Sequence, residues 1–180
     1  RKLLHCSAAM RNIHFMEPAF MEEASPFRLD KVDRRILDLV QREGALSVAE
    51  VASRTGLSTT TCWRRIQALE QSGVIKGRVA LLDRAALGLD VTIFAHVKLS
   101  SQGRDAIAAF AEAIRERPEV LDCYTTMGEW DFMLRVVTRD IKAYEAFYLD
   151  HLSKLPNVQS INSSVTVTVI KETTILPITL

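Results

Sequence analysis

The chain has 180 residues, enough for one large or two small domains, and its 48% hydrophobic and 25% charged residues are those of an ordinary globular protein. The net charge of +1 gives no sign of a polyanionic partner, and no apolar run reaches the ~20 residues of a membrane-spanning helix. Three widely spaced cysteines, Cys6, Cys62 and Cys123, argue against a disulfide framework or a zinc site and fit a reducing cytoplasm.

Residues 1–27 show no clean hydrophobic period and read as a disordered extension; their short apolar runs are too interrupted for a signal peptide. Regularity begins at Leu29. In "LDKVDRRILDLVQREG", Leu29, Val32, Ile36, Leu39 and Val40 fall on one helical face, Asp30 is a good N-cap and Gly44 a stop. "SVAEVASRTG" is a second short helix. Its Ser47 and Glu50 have capping-box spacing, and Gly56 ends it. A third helix follows in "STTTCWRRIQALEQSG", capped by Ser58. Two short helices joined by a glycine-containing turn are a helix-turn-helix. "VIKGRVALLD", residues 74–83, is rich in aliphatic residues and reads as a strand pair or wing, with residues 84–90 as a linker. Residues 28–83 therefore form one domain. They carry ten Lys/Arg against seven Asp/Glu, while residues 84–180 carry ten against twelve, so the basic surplus lies around the third helix.

The remaining stretch, 91–180, repeats a pattern. "VTIFAHVKL" alternates strictly, with Val91, Ile93, Ala95, Val97 and Leu99 on one face. A helix follows with Ile107, Phe110, Ala111 and Ile114 inward, then Pro118 and a strand from Val120. "DFMLRVVT" is again a strand, followed by a helix with Tyr144, Phe147, Tyr148 and Leu152 inward, Pro156, and a strand from Val158. This is βαβ twice, joined by a hairpin at Gly128. Such a domain covers one sheet face with its own helices. Phe94 and His96 lie on the other face, which a second copy of the chain can cover.

In the third helix Cys62, Ile66 and Leu69 face inward. Thr60, Arg64 and Gln67 are on the opposite side, with Trp63 at the flank. A helix N-terminus favours phosphate, and the hydroxyls of Ser58, Thr59, Thr60 and Thr61 can donate to phosphate oxygens. Arg64 and Gln67 can reach base edges, where Arg suits guanine and Gln adenine. Arg65 lies nearer the core, to anchor a phosphate or pack locally, and Lys76 and Arg78 can grip the backbone from the wing. By itself the helix could equally be a capped, solvated surface helix; the two helices before it and the wing after it favour recognition of double-stranded DNA.

"LDKVDRRILDLVQREG…SVAEVASRTGLSTTTCWRRIQALEQSGVIKG" resembles the winged helix-turn-helix of the Lrp/AsnC transcription regulators. "CYTTMGEWDFMLRVVTRD" and "VIKETTILPI" are similar to the same family's effector and assembly domain. The resemblance runs from about Leu29 to Ile178. The fold class is then α+β, a winged helix-turn-helix followed by a βαββαβ ferredoxin-like (RAM/ACT-like) domain. The resemblance implies homodimers joined through their sheets, assembling to tetramers, octamers or higher. It also implies an amino-acid effector bound between dimers beside the hairpin. Thr126, Met127, Gly128, Glu129 and Asp131 are the candidate effector residues, with Ser163 and Thr166 from a neighbouring dimer. Read alone, Gly128 and Asp131 make a hairpin turn; as a site, turn amides hold a carboxylate and Asp131 an ammonium group. Met127 stands where the family often has a small hydroxyl residue, which suits a more apolar ligand or removes a contact. The histidines form no metal or catalytic constellation, so no catalysis and no cofactor are expected. The alternative is an enzyme similar to the siroheme decarboxylases, which resemble this family in both domains.

Overall fold

The computed structural model describes residues 28–101 and 103–178; the extension expected at 1–27 lies outside them. Asp30 and Asp33 open the first helix, α1 (Lys31–Arg42), by a reciprocal capping box in which each carboxylate accepts the other's backbone N–H. Ser47 and Glu50 do the same for α2 (Val48–Thr55), which stops at Gly56 in the left-handed conformation, φ 72°. Helix α3 (Thr59–Gln71) starts from Ser58. Together these helices bury Ile36, Leu37, Val40, Val51, Ala52, Cys62, Ile66 and Leu69. Leu29, Val32 and Leu39, expected inward, pack partly buried against this core, and Leu37, not placed there by the sequence pattern, is buried in it. Each large aliphatic side chain among them contributes about 1.5–3 kcal/mol relative to exposure.

The strand pair expected over 74–83 is not formed. No strand occurs between α3 and Val91, and Val79, Leu81 and Leu82 are exposed. Two four-residue strands around Gly77 make too small a ladder to hold without a covering layer. Residues 84–88 form a turn instead, in which Leu87 N–H donates to Asp83 and Arg84 carbonyls.

The chain divides into two compact units. One runs to Val79 and includes the stretch from Thr174; the other is Ala80–Thr173. In the first, the side-chain amide of Gln41 on α1 donates to the Leu176 carbonyl at 3.1 Å and accepts from the Leu176 N–H at 2.9 Å. Ile178 packs beside the three-helix core. Leu176 and Ile178, grouped with the second domain in the sequence, thus belong with the first unit.

The second unit is a four-stranded antiparallel sheet in the order β2-β3-β1-β4: β1 (Val91–Leu99), β2 (Val120–Thr125), β3 (Phe132–Thr138) and β4 (Val158–Val165). Helices α4 (Arg104–Arg115) and α5 (Ile141–Asp150) supply its other layer. Ile93, Ala95, Val97 and Leu99 alternate into a core with Phe110, Ile114, Phe132, Leu134, Val136, Tyr144, Phe147 and Leu152. Phe110 stacks on Phe132 with ring centroids 4.4 Å apart. Ala106, rather than the expected Ala111, is buried on α4. Phe94 and His96 alternate to the opposite face and are half-buried.

Gln41→Ala removes both hydrogen bonds to the tail. Each contributes about 0.5–1.5 kcal/mol net. Hydrogen exchange should show the Leu176 amide losing protection, with a small fall in the melting temperature and an intact second unit.

Candidate nucleic-acid interface and effector site

Burial of Cys62, Ile66 and Leu69 leaves the other side of α3 to solvent. Thr59, Thr60, Trp63 and Arg64 are exposed there, and Gln67 is half-buried. The four hydroxyls at the helix start divide into two pairs. Ser58 Oγ accepts from Thr61 N–H at 3.2 Å and donates to Thr61 Oγ1 at 2.8 Å, so these two close the cap. Thr59 and Thr60 are the pair presented outward.

The arginines divide as well. Among the described residues Arg64 has no ion-pair partner. Arg65 Nη1 instead donates to Asp30 Oδ2 and Asp33 Oδ1, both at 2.7 Å. These carboxylates raise the Arg65 pKa above its ordinary value, Asp33 most. Asp30 is held below the usual carboxylate range, first by the Asp33 N–H and then by Arg65. Gln67 Nε2 donates to Glu70 Oε2 at 2.9 Å, and Arg78 Nη2 lies 3.8 Å from Glu70 Oε1. Gln67 must leave a solvent-side partner to read a base. Lys76 and Arg78 are exposed on the unpaired segment after α3. Cys62 is fully buried, and desolvation raises its thiol pKa.

In the sheet unit, the β2–β3 connection carries Thr126, Met127, Gly128, Glu129 and Asp131 together. Gly128 has φ 144°, which side chains with a Cβ rarely adopt, and a Cβ there would meet no heavy atom within 4 Å, so backbone conformation rather than space selects glycine. The loop is tied by Thr126 N–H to the Asp131 carbonyl at 2.9 Å and Thr126 Oγ1 to the Trp130 carbonyl at 2.6 Å. Met127 is fully exposed, and Glu129 is exposed too. Asp131 is not simply offered to solvent: Oδ2 accepts from Leu99 N–H at 2.8 Å and Oδ1 lies 3.6 Å from Lys98 Nζ. Its carboxylate caps the end of β1.

Within one chain the other two effector candidates lie elsewhere. Ser163 is opposite Ala95, on the helix-covered face, with its Oγ 2.5 Å from the Tyr144 hydroxyl. Burial raises the Tyr144 pKa, against the pull of that bond. Thr166 donates its N–H to Thr92 near the start of β1, whereas Asp131 meets the end of that strand. A site using the hairpin and Thr166 together needs a second copy of the chain.

The sequence reading missed a charged network. Arg135, opposite Phe94 in the ladder, pairs with Asp122 and, at 2.9 Å, with Glu172. Glu172 also meets Arg84 at 3.5 Å, and Arg84 donates to Thr92 at 2.5 Å. The face left by the helices is therefore part apolar and part ionic. Alternation located that face, but the partners of Arg135 come from two other segments, β2 and the stretch around Glu172.

A three-helix unit with an exposed basic helix, joined to a βαββαβ unit, defines a two-domain DNA-binding transcription regulator. Comparison with known proteins agrees over both parts. "Winged helix-turn-helix DNA-binding" matches residues 29–76, and "Lrp/AsnC ligand binding domain" matches residues 92–176. The chain is 38% identical over 150 residues to the DNA-binding transcriptional activator DecR of Escherichia coli K12, covering 83% of this chain and 99% of that protein. It is 38% identical over 153 residues to the glutamate uptake regulatory protein of Zymomonas mobilis, covering 84% and 92%. A transcriptional regulator from Neisseria meningitidis, solved as an L-Met complex, superposes with a TM-score of 0.80 at 37% identity, covering 83% and 97%. The chain belongs to the Lrp/AsnC family of transcription regulators.

Asp131→Ala removes the acceptor for Leu99 N–H at the end of β1. A bond to a charged acceptor contributes about 1.5–3 kcal/mol, and this one is part-buried, so thermal unfolding should shift down measurably. Asp131→Asn keeps an acceptor and should recover most of that loss.

Proposed function

We propose that this regulator reads duplex DNA through the outward side of α3 and that an amino acid, bound at the Gly128 hairpin, alters its assembly or its hold on DNA. The observation that carries the reading is the division of α3. One side is committed to the core, and the other presents Thr59, Thr60, Trp63 and Arg64 to solvent beside a helix N-terminus. Thr59, Thr60 and the first amides of α3 bind phosphate, and Arg64 and Gln67 reach base edges. Lys76 and Arg78 hold the backbone. Ser58 and Thr61 act through the cap that fixes the helix start. No helix among the described residues is long and apolar enough to cross a membrane. DNA is the cytoplasmic partner in this reading.

The effector is a free amino acid. Loop amides near Gly128 donate to its carboxylate, and Asp131, sharing its charge with Lys98, attracts its ammonium group. The L-Met complex of the Neisseria meningitidis relative supports an amino-acid ligand for this domain. The fully exposed Met127 favours a ligand with an apolar side chain. Thr166 and Ser163 complete the site from a neighbouring dimer, Ser163 after exchanging its bond to Tyr144. A ligand held between dimers makes its contacts in one assembly only, so it shifts the equilibrium by that differential affinity. The dimer forms through the sheet face bearing Phe94 and His96, with the Arg135–Glu172 network at its ionic part. The chain carries out no catalysis and needs no cofactor; a tetrapyrrole band in the visible spectrum of the purified protein would instead favour the decarboxylase-like reading.

Binding to duplex DNA from around its own gene tests the main reading. Arg64→Ala should cost about 1–3 kcal/mol and relax base preference. Lys76→Ala should weaken all sequences alike and lower the slope of log affinity against log salt by roughly one unit. Altered base preference in Lys76→Ala with an unchanged slope would contradict the division of roles.

Phe94→Asp places a carboxylate in the proposed dimer interface, at a cost of several kcal/mol. Sedimentation should then show monomers or aggregate. A full-size oligomer would place the interface elsewhere. Asp131→Asn should fold, bind DNA without effector and lose its response when the twenty amino acids are tried one at a time. An equal response in both proteins would assign Asp131 to the turn alone.

A further inference from the structure

We propose that Arg65 is a positioning residue for DNA recognition rather than a DNA contact: with Asp30 and Asp33 it fixes the rotation of α3 against the start of α1. The inference rests on the DNA-binding reading above and divides its residues further.

Four carboxylate oxygens gather at the start of α1. Asp30 uses Oδ1 to accept Asp33 N–H at 2.7 Å, and Asp33 uses Oδ2 to accept Asp30 N–H at 3.2 Å. That reciprocal box leaves Asp30 Oδ2 and Asp33 Oδ1, and Arg65 Nη1 takes both at 2.7 Å. The first turn of α1 thus presents two aimed carboxylates to one guanidinium. Asp33 is only 6% exposed, so removing this partner would leave a buried carboxylate oxygen unpaired.

Electrostatics then separates Arg65 from its neighbour. Both carboxylates engage the Arg65 guanidinium, so a DNA phosphate would have to compete with them for it, whereas Arg64 meets no carboxylate among the described residues. Geometry gives the brace its purpose. The core contacts of α3 are Cys62, Ile66 and Leu69, and apolar contacts are non-directional. A hydrogen-bonded ion pair has direction. Arg65 directly follows Arg64 and lies two residues before Gln67, so holding its side chain holds the azimuth of both readers.

The test measures DNA affinity of the full chain by fluorescence anisotropy, on the preferred duplex and on altered duplexes, across a salt series. Circular dichroism confirms that each variant is folded. Arg65→Gln should weaken binding about tenfold on every duplex, the equivalent of one directional hydrogen-bonded contact, and leave the salt slope unchanged. Asp33→Asn should weaken binding too, although it removes a negative charge near the DNA-facing side. The double variant should be no weaker than the worse single one. Asp30→Asn, at the more exposed carboxylate, should show a smaller loss in the same direction, and serves if Asp33→Asn does not fold. Arg65→Lys should restore part of the affinity. A salt slope lowered by about one unit in Arg65→Gln, or tighter binding by either aspartate variant, would overturn the inference while leaving the DNA-binding reading in place. Absence of binding by the unaltered chain to any duplex would overturn both.

Discussion

A three-helix unit of about fifty residues has little core to spend, and α3 must give Cys62, Ile66 and Leu69 to it. That demand decides the rest of the unit. It turns Arg64 and Thr60 to solvent, puts Arg65 at the boundary, and places the helix start where Ser58 and Thr61 can close the cap. Apolar packing fixes depth more firmly than rotation. Two carboxylates at the start of α1 supply the missing direction through Arg65. In the proposed reading, recognition depends on residues that need never touch the nucleic acid.

The sheet unit solves a different problem. Its helices cover one face, and the chain leaves the other half apolar and half ionic. Phe94 stands opposite Arg135, which joins Asp122 and Glu172. An apolar patch with an ionic part suits association that has to be specific as well as favourable, because like charges set out of register repel. The hairpin at Gly128 lies at the end of β1 that Asp131 caps. Thr166 lies towards the other end, beside Thr92. A ligand that draws on both ends can only do so across copies, and this is how a small molecule can act on assembly.

What the sequence made legible was local. The N-cap at Asp30, the capping box at Ser47, the helix stop at Gly56 and the alternation of β1 express interactions within a few residues, and all appear in the structure. The strand pair over 74–83 did not form, because aliphatic composition describes a strand's preference but not the layer it needs. Leu37 joined the core beside the partly buried Leu39 because a four-residue pattern leaves the exact rotation of a short helix open. Long-range polar partners were out of reach. Arg65 to Asp33 spans 32 positions and Gln41 to Leu176 spans 135, and nothing local marks either pair. Of the site, the exposed side of α3 and the glycine turn were readable from periodicity and residue type. The cap at Ser58 and a turn role for Asp131 were also readable, but the particular partners were not: Thr61 for Ser58, Asp30 and Asp33 for Arg65, and Leu99 and Lys98 for Asp131.

The central claim is that the outward side of α3 is the surface that meets DNA. A photoreactive side chain placed in turn at Thr60, Gln67 and Phe94 would test it directly, by irradiation with the duplex that the unaltered protein binds. The account predicts cross-links to DNA from positions 60 and 67 and none from position 94, which lies on the sheet. Cross-linking from position 94 with none from α3, while the variants still bind the duplex, would contradict it.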